Sequence, residues 1–215
     1  LLNQMTNETA ITTADQTLVA EFAGGASSSV SAMIGIGAVK DSDAPFQQYV
    51  GEEQEPVALM HRNGKPVTAI NNVQLVGIDV ADGIGKFNST KLNIYLKSSQ
   101  GNVALFTCGL TTYAAQYAVT GLLGMVQEFG IESVFHMRAS RGDQGMRPWF
   151  TWIVPTIGGK SAKDETVREQ LKAAKGTPKL EALMRDSVEA LKLSLGVTDI
   201  QEIEVTEPTS EEVPF

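Results

Sequence analysis

A single cysteine, Cys108, excludes an intramolecular disulfide and any cysteine-cluster metal site. Two histidines, His61 and His136, are too few for a histidine-rich one, so neither a metal nor a cofactor is expected. No apolar run approaches the roughly 20 residues that span a bilayer. The most apolar early stretch, 33–39, is short and lacks the basic flank of a secretory signal. The expectation is a cytoplasmic protein that makes no use of a membrane. The chain contains no internal repeat, and its Asp and Glu residues show no paired spacing of the kind that supports hydrolysis or metal binding.

The remaining signs of catalysis are thin. Cys108 and His136 could act as nucleophile and base if they lie on neighbouring strands, which would suit a small hydrolase or transferase. No third orienting group accompanies them, and a lone cysteine closing an apolar strand is ordinarily a small core residue. Gly35-Ile36-Gly37 is half of a dinucleotide fingerprint, without the third glycine or a following amphipathic helix. Arg141-Gly142-Asp143 spells an adhesion tripeptide, but in an acidic chain it reads as a turn. A non-enzymatic role is expected.

What the chain does have is length enough for one sizeable core, with 215 residues of which 42% are hydrophobic and 20% charged. Its net charge of −8 is unevenly spread. Residues 1–60 carry −7, residues 61–160 carry +4, residues 161–198 carry +1 and residues 199–215 carry −6. A basic middle between acidic ends is the pattern expected if only the middle meets a polyanion.

The region 1–58 reads as an N-terminal extension, partly β, with short strands at 17–22 and 30–39. Gly24-Gly25-Ala26-Ser27-Ser28-Ser29 is a flexible loop, and 41–45 is a turn. The core, 59–157, is more sharply patterned. A β-branched run at 67–80 predicts a long curved strand, with Gly77 marking a bulge. Residues 91–97 alternate, with Leu92, Ile94 and Leu96 on one face and Lys91, Asn93, Tyr95 and Lys97 on the other. A tight turn at 98–101 leads to a strand at 102–108. Residues 111–129 form a helix with Tyr113, Tyr117, Leu122 and Val126 near one stripe and Gly130 as its C-cap. Strands at 133–139 and 147–154 flank a polar loop at 140–146. A C-terminal appendage, 158–198, contains helices at 163–175 and 179–195. The apolar stripe of the second helix (Leu180, Leu183, Met184, Val188, Leu191, Leu195) packs on the core or on a second subunit.

Strand, strand, strand, helix, strand, strand is the order of a five-stranded Greek-key barrel with its helix between the third and fourth strands, the OB-fold. The fold class expected is therefore mainly β with α, an OB-like barrel carrying a helical appendage and a disordered acidic tail. A generic α+β sheet is the plainer alternative. Barrels of this kind bind unpaired nucleic acid by stacking bases on aromatic rings and lining the phosphate path with cations. Candidate cations are Lys65, Lys86, Lys91, Lys97, Arg138, Arg141 and Arg147. Candidate rings are Tyr95, Phe87, and either Trp149 or the Phe150/Trp152 pair, since neighbouring residues on a strand project to opposite faces. Phe106 can face either way.

The tail, residues 199–215, holds six carboxylates, no Lys or Arg and two prolines, too few apolar groups to bury. It ends Glu211-Glu212-Val213-Pro214-Phe215. This ending resembles the acidic tip of bacterial-type single-stranded DNA-binding proteins. The resemblance covers about five residues and the strand order. It implies single-stranded DNA as a ligand and replication or repair proteins recruited through residues 211–215, with Phe215 entering a pocket and the acids meeting a basic rim. The core has no close match to the standard bacterial core and the N-terminal segment is long, departures that suit a phage- or plasmid-encoded member. The alternative is a homo-oligomeric interaction or assembly module whose tail only solubilises it.

Overall fold

A computed structural model describes residues 30–36, 42–50, 55–84, 87–141 and 151–196. Among these residues eight strands are formed: β1 (Val30–Ile36), β2 (Phe46–Val50), β3 (Glu55–Ala58), β4 (Ala69–Ile84), β5 (Ser89–Ser98), β6 (Val103–Gly109), β7 (Phe135–Arg141) and β8 (Thr151–Thr156). Among the described residues three helices accompany them: α1 (Tyr113–Phe129), α2 (Glu165–Ala173) and α3 (Lys179–Ser194). The expected strand at 17–22, the loop at 24–29, most of the loop at 140–146 and the acidic tail lie outside the described residues.

The strands make one mixed sheet in the order β3-β2-β1-β6-β5-β4-β7-β8. Only the β1–β6 pairing is parallel; the other six are antiparallel. Strands β4, β5 and β6 follow one another through hairpins, and β7 returns by way of α1 to lie beside β4. That arrangement is a Greek key. A helix between the third and fourth strands of this unit is what the sequence order predicts.

Closure is where the structure departs from the expectation. A barrel of β4 to β8 would close by pairing its end strands β6 and β8, but the second edge of β6 is taken by β1. Ile34 of β1 lies beside Phe106 of β6, and Phe46 of β2 meets the Phe106 ring edge-to-face with centroids 6.1 Å apart. All three side chains are fully buried. The N-terminal strands thus extend the sheet instead of flanking a closed barrel, and the sheet is open. Neither β2 nor β3 is expected from the sequence. Gln47 and Gln48 obscure the alternation of β2, and Glu55-Pro56 reads as punctuation; proline is tolerated in β3 because β3 is an edge strand.

β4 is long because it serves two partners. Its start pairs with β7 (Ala69 opposite Arg138), while Val73 to Ile84 runs beside β5. Register shifts between Ile70 and Val73 and between Leu75 and Gly77 bend it, the second at the predicted bulge.

The alternation of β5 is realised as expected, with Leu92, Ile94 and Leu96 buried with Ile78, Phe106, Phe135 and Ile153 in one core. The helices cover this face. Leu180, Met184, Val188 and Leu191 of α3 join the same core, so the stripe packs on the chain's own sheet. Arg185 of α3 also pairs with Asp82 of β4 at 2.6 Å. α1 starts at Thr112, whose hydroxyl accepts from the Ala115 amide, and ends at Gly130 with φ of 85°. It crosses β8 closely enough that a Cβ on Gly121 would stand 2.5 Å from Pro155 Cδ. A Cβ on Gly124 would stand 2.4 Å from the Lys163 backbone nitrogen. Asp164 then ties this crossing together: its amide donates to the Thr120 carbonyl, its carboxylate accepts from the Gln127 side chain, and it caps α2 through the Val167 amide.

Candidate nucleic-acid interface

The face of the sheet opposite the core carries no helix among the described residues. Across it run cross-strand rows fixed by register: Asp79, Asn93, Thr107 and Gly35 in one, and Gly77, Tyr95, Leu105 and Met33 in the next. Lys97 lies between Gln74 and Val103 in a third, and Lys91 between Ala81 and Gly109 at the other end. Tyr95, Lys97 and Lys91 are all half-buried.

The Tyr95 ring lies against Gly77, with Cδ2 only 3.1 Å from where a Cβ would stand. A glycine there lets the ring lie down on the sheet, the reverse of a strand glycine left bare. Its hydroxyl donates to Asp79 Oδ2 at 2.9 Å, and the Asn93 amide donates to Oδ1 at 2.9 Å. Burial, and then the adjacent Asp79 charge, hold the phenol's pKa well above its usual value. Tyr95 is therefore a neutral, oriented ring on a polar face. Asp79 is the participant that sequence reasoning missed; only its alternation with Ile78 placed it on this side.

On the β7–β8 end the same face carries His136, Arg138, Trp152 and Val154, while Met137, Ala139, Ile153 and Pro155 point into the core. Arg138 is exposed and pairs with Val154 on one side and Ala69 on the other. Trp152, two residues from Val154 along β8, is half-buried. The register thus brings Trp152 and Arg138 to one surface, and Tyr95, Lys91 and Lys97 to the continuation of that surface across β4. Phe87 is 81% exposed in the β4–β5 turn, and Lys65 is exposed in the hairpin before β4, bridged at Met60 and Pro66. Lys86, Arg147, Trp149, Phe150 and the tip from Glu211 and Glu212 through Val213, Pro214 and Phe215 lie outside the described residues, as does the side chain of Arg141.

Several readings are corrected. Phe106 is interior. Cys108 and His136 are not on neighbouring strands: β5 and β4 separate β6 from β7, and the two side chains point to opposite faces. Burial pushes the Cys108 thiol up to about 12, with Thr112 and Lys91 opposing weakly, so it is a protonated core group. Gly35 lies within β1, where Gln47 and Tyr49 side chains fill the space above it, an arrangement unlike a phosphate-binding loop. Tyr113 and Tyr117 do not join the buried stripe of α1, which is built from Ala114, Ala115, Ala118, Val119, Leu122 and Met125. They line a groove of about 210 Å³ against α2, together with Arg168, Lys172 and Lys175. Arg168 and Lys172 stand four residues apart on α2, flanking Leu171, while Lys175 belongs to the turn after the helix.

Among the described residues no group of three His, Cys, Asp or Glu is placed to hold a metal ion, and no helix is long and apolar enough to cross a membrane. No family model matches the chain, and no curated protein or solved structure matches it either.

Proposed function

We propose that this chain is a non-catalytic, cytoplasmic single-stranded DNA-binding protein, with an OB-type core opened by β1 and an acidic tip that recruits replication or repair enzymes. The observation that carries the reading is the sheet face opposite the core, free of helix among the described residues, where Tyr95 and Trp152 share a surface with Lys91, Lys97 and Arg138. Base stacking contributes about 1–3 kcal/mol per base, and the cations release counterions from the phosphates; neither depends on sequence. The Greek-key order of β4 to β8 with α1 between the third and fourth strands supports the OB-type reading.

Tryptophan fluorescence during titration with oligo-dT, at low and at high salt, tests it. Quenching that weakens as salt rises is the expected result. An unchanged signal at low salt, with no binding by a labelled oligonucleotide, would favour the homo-oligomeric assembly module instead.

A further inference from the structure

We infer that the groove between α1 and α2 is a second binding site, for a nucleoside phosphate, on the helical side of the molecule. It does not depend on the sheet face. Tyr113 and Tyr117 stand one turn apart on α1 and form one wall; Leu171, buried, forms the floor. Arg168 and Lys172 of α2, and Lys175 in the turn that follows it, stand at the other wall. The opening is about 210 Å³, room for one flat ring with its phosphate left at the cationic rim.

Charge at this rim is available. Lys175 has no carboxylate partner among the described residues; its ammonium stands 4.7 Å from the centroid of the Tyr113 ring. A cation held over an aromatic face is positioned without being neutralised. Arg168 and Lys172 do pair, with Glu165 at 2.7 Å and Glu169 at 3.6 Å, but both pairs are one helical turn apart and well exposed. Pairs of that kind contribute little, and a phosphate offers Arg168 a bidentate partner in exchange. Rings that stack on a base beside cations that take its phosphate define a nucleotide, either free or as one residue of a strand passing over the helices.

Equilibrium dialysis of the full chain with dTMP, thymidine and inorganic phosphate tests the assignment, alongside oligo-dT binding. The variants are Lys175→Gln and the double variant Arg168→Gln/Lys175→Gln, both surface changes whose folding is checked by their thermal transitions. Saturable dTMP binding, weakened about tenfold or more by Lys175→Gln and stronger than that of thymidine or phosphate, supports a free nucleotide. Oligo-dT affinity that falls in the same variants, with weak dTMP binding, supports a strand residue in the groove. If neither dTMP nor oligo-dT binding responds to the double variant, the inference is overturned.

Discussion

The Tyr95 hydroxyl donates to Asp79 on the adjacent strand, so the ring best placed for stacking is held by an acid in the middle of the face. The two residues should therefore respond oppositely. Asp79→Asn keeps an acceptor for the hydroxyl while removing a negative charge, and affinity for oligo-dT should rise a few-fold at low salt. Tyr95→Ala should lower it by about 1–3 kcal/mol, and Tyr95→Phe should leave it near the original. Anisotropy titrations of the three variants decide. Indifference to both Asp79→Asn and Tyr95→Ala would remove this face from the site.

Arg138 and Trp152 share the other end of the same surface. Arg138→Ala should reduce the slope of log affinity against log salt by about 0.7, the share of one phosphate contact on a single strand. Trp152→Phe should abolish most of any fluorescence change contributed by this end while leaving binding measurable. A slope that stays constant in Arg138→Ala would mean that no phosphate passes there.

Stability should fall on the alkaline side. Folding raises the Cys108 pKa from 9.0 to about 12, so over that window the native chain keeps a proton that the unfolded chain releases. Tyr95, also raised, adds to the loss above its usual value of about 10. Cys108, fully buried, can contribute at most about 1.4 kcal/mol per pH unit, and the half-exposed Tyr95 contributes less because solvent screens it. Urea midpoints measured from pH 8 to 11 should decline, and Cys108→Ala should delay the decline by about one pH unit. Parallel curves for the two proteins would contradict the burial argument. Native Cys108 should likewise resist alkylation until the chain is unfolded.

Gly124 and Gly121 are helical glycines whose replacement by alanine would ordinarily favour the helix. Here the expected sign is reversed. A methyl on Gly124 meets the Lys163 backbone, which is fixed by the Asp164 bonds to α1, and should destabilise the protein by about 1–3 kcal/mol. A methyl on Gly121 meets the buried Pro155 ring, which is closed onto the β8 backbone, and should destabilise by a similar amount. Denaturant melts of both variants compare them directly; a stabilised Gly124→Ala would show that this crossing is looser than its geometry.

Deleting residues 211–215 should leave oligo-dT affinity equal or higher, because anionic groups that compete for the cations are gone, while recruitment of partner enzymes is lost. A pull-down with and without the tip reads the second half. Loss of DNA binding on deletion would refute the division of roles.

Much of the Greek-key unit was legible because its strands are short-period patterns bounded by turn residues: Leu92, Ile94 and Leu96 announce β5, and Gly77 announces the bend in β4. Face assignment at Tyr95 followed from the same alternation. The partner of β6 was not legible, since a parallel pairing between Met33 and Leu105 leaves no local trace in either segment. The groove residues were hidden differently. A tyrosine at helical spacing reads as core, and only the small size of Ala114, Ala115 and Ala118, which lets α1 bury its other face, shows that Tyr113 and Tyr117 are turned toward α2.

The seat of β1 has a consequence for the order of assembly. Its contacts with β6 join positions about seventy residues apart, and such long-range pairing is slow compared with hairpin formation. The β4-to-β8 unit, built from neighbouring hairpins and one crossover, can gather first and leave a bare strand edge at β6. Late arrival of β1 then shields that edge from other copies of the chain. Amide exchange should accordingly report β1 to β3 as the earliest part to open, ahead of global unfolding.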